Sequence, residues 1–237
     1  MIFSTRNSLP AFLALLLVAC GDQQPVPALE LTKSPPAVVA EFRTTVKPPR
    51  GEPSQIQWRF WRAENRIERE NPAGQSGDLW VRDGQTLFHT RLYHADKRGI
   101  EYRSDDLQML NASPEWTALT TLLDPDLIQS LREETSGWRN GYPYRRYTGE
   151  IDAVRWDITV RTDQMLPVRI ERRSASRQTE TVELLRSYPF DDSPWQPTPS
   201  GTYDILDYAD LGDHERDPFV MRVQAAEGGG HLHGHAH

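Results

Sequence analysis

The sequence predicts a mainly β protein of the α+β class, built on an antiparallel sheet with one polar and one apolar face. Apolar and polar residues alternate from 154 to 161, which is the period-two pattern of a half-buried strand. The dipeptide Asp83-Gly84 stands between two apolar stretches, and both residue types tolerate the backbone angles of a tight β-hairpin. Two helical patterns interrupt the strands near residues 113–131. We therefore expect strands to dominate and short helices to cover the sheet.

Residues 1–19 have the anatomy of a secretory signal, with a basic Arg6 followed by an apolar run over 9–19. This run is shorter than the roughly 20 residues that a transmembrane helix needs. Its end, Leu17-Val18-Ala19-Cys20, resembles the lipobox of bacterial lipoproteins. The resemblance implies that the signal is cut before Cys20 and that acyl chains such as palmitate on Cys20 anchor the protein to a membrane. The alternative is an ordinary secretory signal in which the cysteine occurs by chance.

Residues 20–54 are rich in proline, which breaks regular backbone pairing. They predict a tether between the lipidated cysteine and the folded domain. Within this segment, residues 37–42 have a composition that predicts a short helix docking on the domain. The alternative is a plain disordered linker.

Residues 55–212 predict the β domain, with its strands in two groups on either side of the helical patterns. The strands are expected at 55–62, 66–70, 79–81, 86–93 and 100–103, and then at 142–148, 154–161, 168–171 and 179–185. A proline-rich loop leads to a short strand at 203–206. A C-terminal helix is predicted over 213–227, and a Gly/His-rich tail follows over 228–237.

The two helical patterns carry clear start signals. Ser113-Pro114-Glu115 combines a capping residue, a proline at the first helical position and an acid in the first turn. Asp124-Pro125 opens the second helix in the same way. The apolar residues of the first pattern, including Trp116 and Leu119, fall on one helical face, so this helix is expected to cover the sheet.

The order of these elements resembles the LolA/LolB family of lipoprotein carriers and receptors. The resemblance rests on tryptophan-rich strands, the hairpin Leu79-Trp80-Val81-Arg82-Asp83-Gly84-Gln85-Thr86-Leu87, a helical insert and long meandering strands, and it covers roughly residues 55–187. Members of this family are half-open antiparallel β-barrels closed by helices, with an apolar cavity that takes acyl chains, and periplasmic regulators of the RseB type share the fold. The resemblance therefore implies a half-open β-barrel that binds a lipidic or protein partner in the cell envelope.

Such a cavity would be lined by the apolar side of the sheet and by the covering helix. The candidate ligand-binding residues are Trp58, Phe60, Trp80, Phe88, Trp156 and Ile158 on strands, and Trp116 and Leu119 on the helix. A concave, mostly apolar pocket of this kind suits an acyl chain or lipoprotein ligand. The alternative is that these side chains fill a closed core and that the protein is a structural adaptor of the envelope.

The C-terminal tail carries a second candidate site, for a metal ion. His231, His233, His235 and His237 follow a run of glycines, with small or apolar residues between them. Neutral imidazoles are common ligands of Zn, Cu and Ni, and this spacing allows several of them to reach one ion. The sequence therefore predicts a divalent-metal-binding lipoprotein as an alternative function. The other interpretation is a solvated tail with no metal role.

Composition excludes several other functions. A formal net charge of −7 argues against nucleic acid as a partner, because phosphate binding needs a basic face. Cys20 is the single cysteine, which excludes an internal disulfide, a cysteine-based metal cluster and a catalytic thiol in the mature domain. No serine-nucleophile motif is present and no pair of carboxylates is identifiable as a hydrolytic pair, so we expect a non-catalytic protein that requires no cofactor.

Gly21 follows the cysteine at the position where enterobacterial lipoproteins of the inner membrane carry a retaining aspartate. The lipobox resemblance therefore implies a protein that is lipid-anchored to the outer membrane and faces the periplasm. We expect this protein to be a monomer.

Overall fold

Residues 24–230 of the chain are described by a computed structural model, and within that range the strands form one sheet of 12. The strands are β1 Val38–Lys47, β2 Ser54–Arg62, β3 Arg66–Asn71, β4 Ser76–Asp83, β5 Thr86–Tyr93, β6 Arg98–Tyr102, β7 Arg132–Arg139, β8 Tyr142–Ile151, β9 Val154–Arg161, β10 Leu166–Arg173, β11 Thr179–Pro189 and β12 Asp204–Asp207. The helices are α1 Ser104–Met109, α2 Trp116–Thr121, α3 Pro125–Ser130 and α4 Pro218–Gly230.

The sheet is antiparallel except at one edge, and it does not close on itself. Its strand order is β12-β6-β5-β4-β3-β2-β1-β11-β10-β9-β8-β7, and β12 runs parallel to β6. Strands β7 and β12 therefore lie at opposite edges of an open sheet. The predicted fold class, a mainly β half-open antiparallel barrel covered by short helices, is confirmed.

Strand β1 stands in the middle of the sheet, where the sequence predicts a tether with a short helix at residues 37–42. That helix is wrong: Val38–Lys47 pairs with β2 on one side and with β11 on the other. Valine side chains are stiff and favour strands, and Val38, Val39 and Ala40 are at most 1% exposed. The pairing with β11 joins residues about 140 positions apart in the chain, for example Val46 with Glu180, so no local pattern reveals it.

The segment before β1 packs on the sheet instead of standing free as a tether. The Trp138 indole donates to the Gln24 carbonyl (2.9 Å), and Arg145 donates to the carbonyls of Val26 (3.0 Å) and Pro27 (2.9 Å). The side chains of Leu29 and Leu31 also pack against the core below β8 and β9. The proline-rich segment therefore belongs to the folded domain from residue 24 onward.

Local signals placed the hairpin and the short helices well. Strands β4 and β5 form the predicted hairpin, but its loop is Gly84-Gln85, one residue later than predicted, with Asp83 paired to Thr86. Gly84 has a φ of +59°, and it is the loop residue that needs glycine's freedom. Helix α3 begins at Pro125, directly after its predicted cap Asp124. Helix α2 begins at Trp116 with Glu115 in the N-cap position and no side-chain cap, so the predicted start at Ser113-Pro114 is wrong.

The carboxylate of Asp124 caps α3 by accepting from the backbone N–H groups of Asp126 (2.8 Å) and Leu127 (3.3 Å). The C-terminal helix α4 begins at Pro218, later than the predicted residue 213, because Tyr208–His214 forms a 3₁₀ helix. Among residues 24–230, no helix is long and apolar enough to cross a membrane.

The core consists of two clusters on one face of the sheet, which we call the inner face. The sealed cluster comprises Phe42, Phe60, Ile67, Trp80, Ile100 and Tyr102 on strands, covered by Leu107 of α1, Leu119 of α2 and Phe219, Val220 and Val223 of α4. The open cluster comprises Leu123, Ile128, Leu131, Tyr147, Ile158 and Val160, with α3 as its covering helix. A cleft lies between the two clusters.

Candidate ligand-binding cleft

The cleft has a volume of about 340 Å³ and separates the segment of α2 and α3 from the inner face of the sheet. This is within the range of small-molecule pockets. Its apolar wall consists of Trp58, Leu122, Leu127, Trp156, Ile170 and Val182, all of them half-buried. Some of these side chains pack against the sealed cluster and others against the open cluster. The cleft is therefore the place where the two cores meet without filling the space between them.

Strand register brings this wall together. Across β11, β10 and β9, Val182 pairs with Ile170 and Ile170 pairs with Ile158, so their side chains share the inner face. The opposite wall comes from the helices. Leu122 ends α2 in a left-handed conformation (φ 59°) and turns the chain toward α3, a costly conformation for a bulky residue.

The structure brings three of the predicted ligand-binding residues together in this cleft: Trp58, Trp156 and Ile158. Phe60 and Trp80 instead fill the sealed cluster, with exposures of 0% and 7%. Phe60 and Trp80 therefore fill a closed core, which was the alternative to a ligand-binding role.

The remaining candidates lie elsewhere. Trp116 packs half-buried against the sealed cluster, with the Arg82 guanidinium 4.7 Å above its ring. Phe88 lies on the opposite face of the sheet: Trp80 pairs with His89, so Phe88 is one position out of phase. The prediction that Phe88 lines the same wall as Trp80 is therefore wrong.

Two arginines reach the cleft, and they differ in their partners. Arg172 is neutralised by Glu180, to which it donates from Nε (3.0 Å) and Nη2 (2.6 Å). The Arg69 side chain makes no hydrogen bond and no ion pair within 4.0 Å with any residue of the described range, and its buried Nε has no acceptor. Burial lowers the pKa of Arg69, an effect that the more distant charge of Asp78 opposes. Sequence reasoning missed Arg69, although its alternation with Ile67 along β3 places it on the inner face.

A second, more polar recess of about 250 Å³ adjoins the cleft, and both share Trp58 and Arg69 in their walls. The Trp58 indole donates to the Thr44 hydroxyl (2.9 Å), which fixes the ring between the two spaces. Thr44, Asn71, Ser76 and Asp78 line this recess.

The Asp78 carboxylate in this recess is held by His89, with 2.9 Å between Nε2 and Oδ1. Burial alone would raise the pKa of Asp78. The hydrogen bond from His89 and the charges of His89, Arg69 and Arg91 outweigh that effect and lower it. Asp78 is therefore ionised at neutral pH.

A further arginine, Arg62, determines where α2 sits over the sheet. Its side chain is 1% exposed and donates to the carbonyls of Pro36 (2.9 Å), Thr120 (2.5 Å), Gln164 (2.7 Å) and Met165 (3.5 Å). Burial lowers the pKa of Arg62 to about 9, so the guanidinium stays charged at neutral pH. This one residue ties α2 to the segment before β1 and to the turn between β9 and β10. Alternation from Trp58 and Phe60 is the sequence signal that would have found it.

The other predicted sites lie outside the described residues. These are the lipidated Cys20 and the metal-binding His231, His233, His235 and His237, which stay predictions. Within residues 24–230, no group of three or more His, Cys, Asp or Glu side chains is arranged to hold a metal ion.

No protein-family model and no curated protein matches this chain. Among solved structures it is similar to PNGF-II (TM-score 0.42, 8% identity), covering 76% of this chain and 33% of that one, so the chain spans about a third of PNGF-II. It is also similar to the MucA/MucB complex of Pseudomonas aeruginosa (TM-score 0.33, 13% identity, 68% and 53% covered). A LolA superfamily protein from Nitrosomonas europaea is a further neighbour (TM-score 0.29, 9% identity, 71% and 90% covered). Because these TM-scores are below 0.5, the fold assignment rests on the sheet itself.

Proposed function

We propose that this protein is a non-catalytic envelope lipoprotein that binds the acyl chain of an amphiphilic ligand in the cleft. The observation that carries the proposal is the wall of half-exposed apolar side chains between the two core clusters. Each methylene group removed from water contributes about 0.8 kcal/mol. A bound segment of roughly eight methylenes would therefore contribute about 6 kcal/mol before the cost of ordering the chain.

The location proposed for this function follows from the sequence. The lipobox resemblance at Leu17-Val18-Ala19-Cys20 supports a lipid anchor, and Gly21 supports the periplasmic face of the outer membrane. A lipid-anchored domain is held next to a reservoir of acyl chains. An apolar cleft at that place would take up a chain from the membrane or from a lipidated partner protein.

The test measures binding of a fluorescent eighteen-carbon polyene fatty acid, cis-parinaric acid, to the full chain carrying Cys20→Ser. The parent protein, with its cleft residues unchanged, should bind cis-parinaric acid saturably. Trp156→Glu places a charge in the apolar wall and should raise the Kd at least tenfold, which is about 1.4 kcal/mol. Phe88→Ala, on the opposite face, is the matched control and should bind like the parent protein.

Saturable binding that Trp156→Glu leaves unchanged would mean that the chain binds elsewhere, and the proposal would be wrong. Absence of any binding would leave the structural adaptor as the better interpretation. The metal-binding alternative rests on His231–His237 alone. A zinc titration of the chain with and without residues 228–237 tests it separately.

A further inference from the structure

The unpartnered Arg69 extends the proposal to the chemical class of the ligand. We infer that the cleft selects an anionic amphiphile, with its carboxylate or phosphate against Arg69 and its alkyl chain along Trp58, Trp156 and Ile170. This inference rests on the function proposed above. It adds a headgroup subsite at the junction of the apolar cleft and the polar recess.

The position of Arg69 supports a role in binding. Its side chain lines both spaces and lies next to Trp58, whose ring is fixed by the hydrogen bond to Thr44. When the alkyl chain of a ligand fills the cleft as far as its junction with the recess, the polar end of the ligand therefore lies at Arg69. The hydroxyl and amide groups of Thr44, Ser76 and Asn71 lie in the recess beyond and can donate to the headgroup. The carboxylates of Glu70 and Asp78 in the same recess repel an anion, which keeps the headgroup at the junction.

Arg43, Arg59 and Arg98, like Arg69, have a shielded Nε without an acceptor, but each of them has a carboxylate within 4.0 Å, which Arg69 does not have among the described residues. Arg62 donates to four backbone carbonyls, and Arg172 is paired with Glu180. Arg69 has neither kind of partner within the described residues, and its Nε is shielded from solvent. A charged donor left unpaired in such a place is unfavourable, and an anion that accepts from it restores the lost interactions.

The charges around Arg69 favour an approach from the apolar cleft. Asp78 lies on the recess side, where it is already held by His89. On the cleft side, the charge of Arg172 is cancelled by Glu180. Among residues 24–230, Arg69 is therefore the cation in the cleft wall that is available to a ligand. A guanidinium binds carboxylate and phosphate groups with two parallel hydrogen bonds, which makes it selective for those anions.

The experiment compares four probes with the same sixteen-carbon chain: palmitate, hexadecyl phosphate, 1-hexadecanol and hexadecyltrimethylammonium. Each displaces cis-parinaric acid from the full-length Cys20→Ser protein at concentrations below micelle formation. The two anions should bind at least tenfold more tightly than the alcohol, and the cation should bind more weakly than the alcohol. The ratio between palmitate and hexadecyl phosphate then tells which anion the subsite prefers.

The variant that tests the subsite is Arg69→Met, which keeps an apolar side chain of similar length. It should raise the Kd of the anions about tenfold and change that of 1-hexadecanol less than twofold. Unchanged alcohol binding also shows that the variant is folded. Arg69→Lys should restore part of the preference because it keeps the charge. Arg155→Met is the control, since Arg155 is 71% exposed and lies outside the cleft wall.

The outcomes separate the two proposals. Equal binding of palmitate and 1-hexadecanol by the parent protein would overturn the anionic subsite and leave the acyl-binding cleft in place. A preference for anions that survives in Arg69→Met would overturn the assignment to Arg69. If none of the four probes displaces the fluorescent ligand, the cleft does not bind alkyl chains, and both proposals are wrong.

Discussion

The two core clusters lie on the same face of the same sheet, but one is closed and the other is partly open. Phe42, Phe60 and Ile67 of the sealed cluster are 0% exposed, because α1, α2 and α4 bring large apolar side chains down onto them. The open cluster is covered by α3, and several of its apolar neighbours, Trp156 and Ile170 among them, stay half-buried. The strands on both sides show the same alternation of apolar and polar residues. The cover above the strands, and not the strands themselves, distinguishes a filled core from a binding wall.

The largest expected effect separates the two clusters by stability. Phe60→Ala in the sealed cluster should lower the free energy of unfolding by about 3–5 kcal/mol, since it leaves a cavity that the neighbouring side chains fill poorly. Trp156→Ala should cost about 1 kcal/mol, because its half-exposed ring leaves an open cleft and not a closed cavity. Urea denaturation followed by circular dichroism measures both.

A similar loss in both variants would contradict this difference between the clusters. Equal losses would mean that Trp156 is as much a part of the core as Phe60. In that case the cleft would be a packing defect and not a site.

The second prediction concerns the link that holds α2 above the sheet. Arg62→Met should lower stability by about 2–4 kcal/mol, because several buried carbonyls lose a charged donor at once. Proteolysis within residues 113–131 should also become faster, since the Thr120 carbonyl is one of those acceptors. Arg155→Met serves again as the exposed control and should change neither property.

Arg62→Lys sharpens this test. Lysine keeps the positive charge but does not have the planar fork that reaches several carbonyls together. Its stability should lie between those of the parent and of Arg62→Met. Protection of residues 113–131 that is unaffected by both variants would show that α2 is held by apolar packing alone.

The smallest effects are expected from two acidic residues with opposite pKa shifts. Two hydrogen bonds from Arg146 to Asp157, of 2.9 and 2.6 Å, lower the pKa of Asp157. Stability from this pair is present above the unfolded pKa of about 3.9 and is lost as the pH falls through the folded value. Asp157→Asn should therefore cost about 0.2–1 kcal/mol at pH 7. At a pH below the lowered pKa it should cost nothing.

Glu68 responds in the opposite direction. Burial raises the pKa of Glu68, whose Oε1 has no partner among the described residues. The folded state therefore binds the proton of Glu68 more tightly than the unfolded state does. The resulting contribution to stability is present below the unfolded pKa of about 4.3 and is lost as the pH rises through the folded pKa. Glu68→Gln should stabilise the protein at pH 7 and have little effect in acid. Urea midpoints measured from pH 3 to pH 8 test both variants, and parallel curves for variant and parent would refute either shift.

Much of the fold could be predicted from short sequence patterns. The hairpin between β4 and β5, the start of α3 capped by Asp124 and the alternation in β9 each depend on residues that are neighbours in the chain. Strand β1 could not be predicted in this way. Its valines favour a strand, but the hydrogen-bond partners that make it the central strand come from β2 and from the distant β11.

The candidate site shows the same limit. Aromatic residues on alternating positions indicated an apolar face, and Trp58, Trp156 and Ile158 do line the cleft. Phe88 was misplaced because its aromatic side chain was taken to indicate the apolar face. Trp80 pairs with His89, so Phe88, one position away, lies on the other face. Arg62 and Arg69 were missed because a charged residue on an apolar face looks like a break in the pattern.

By itself, the sequence determined the fold class, the position of the hairpin to within one residue, the approximate positions of the short helices and the apolar character of one sheet face. These features depend on residue types and short spacings. The tertiary structure decided that residues 38–47 become the central strand, because that pairing joins distant parts of the chain. It also decided which half of the apolar face is sealed. The reason is that α4, from the far end of the chain, covers one cluster and leaves the cleft beside the other unfilled.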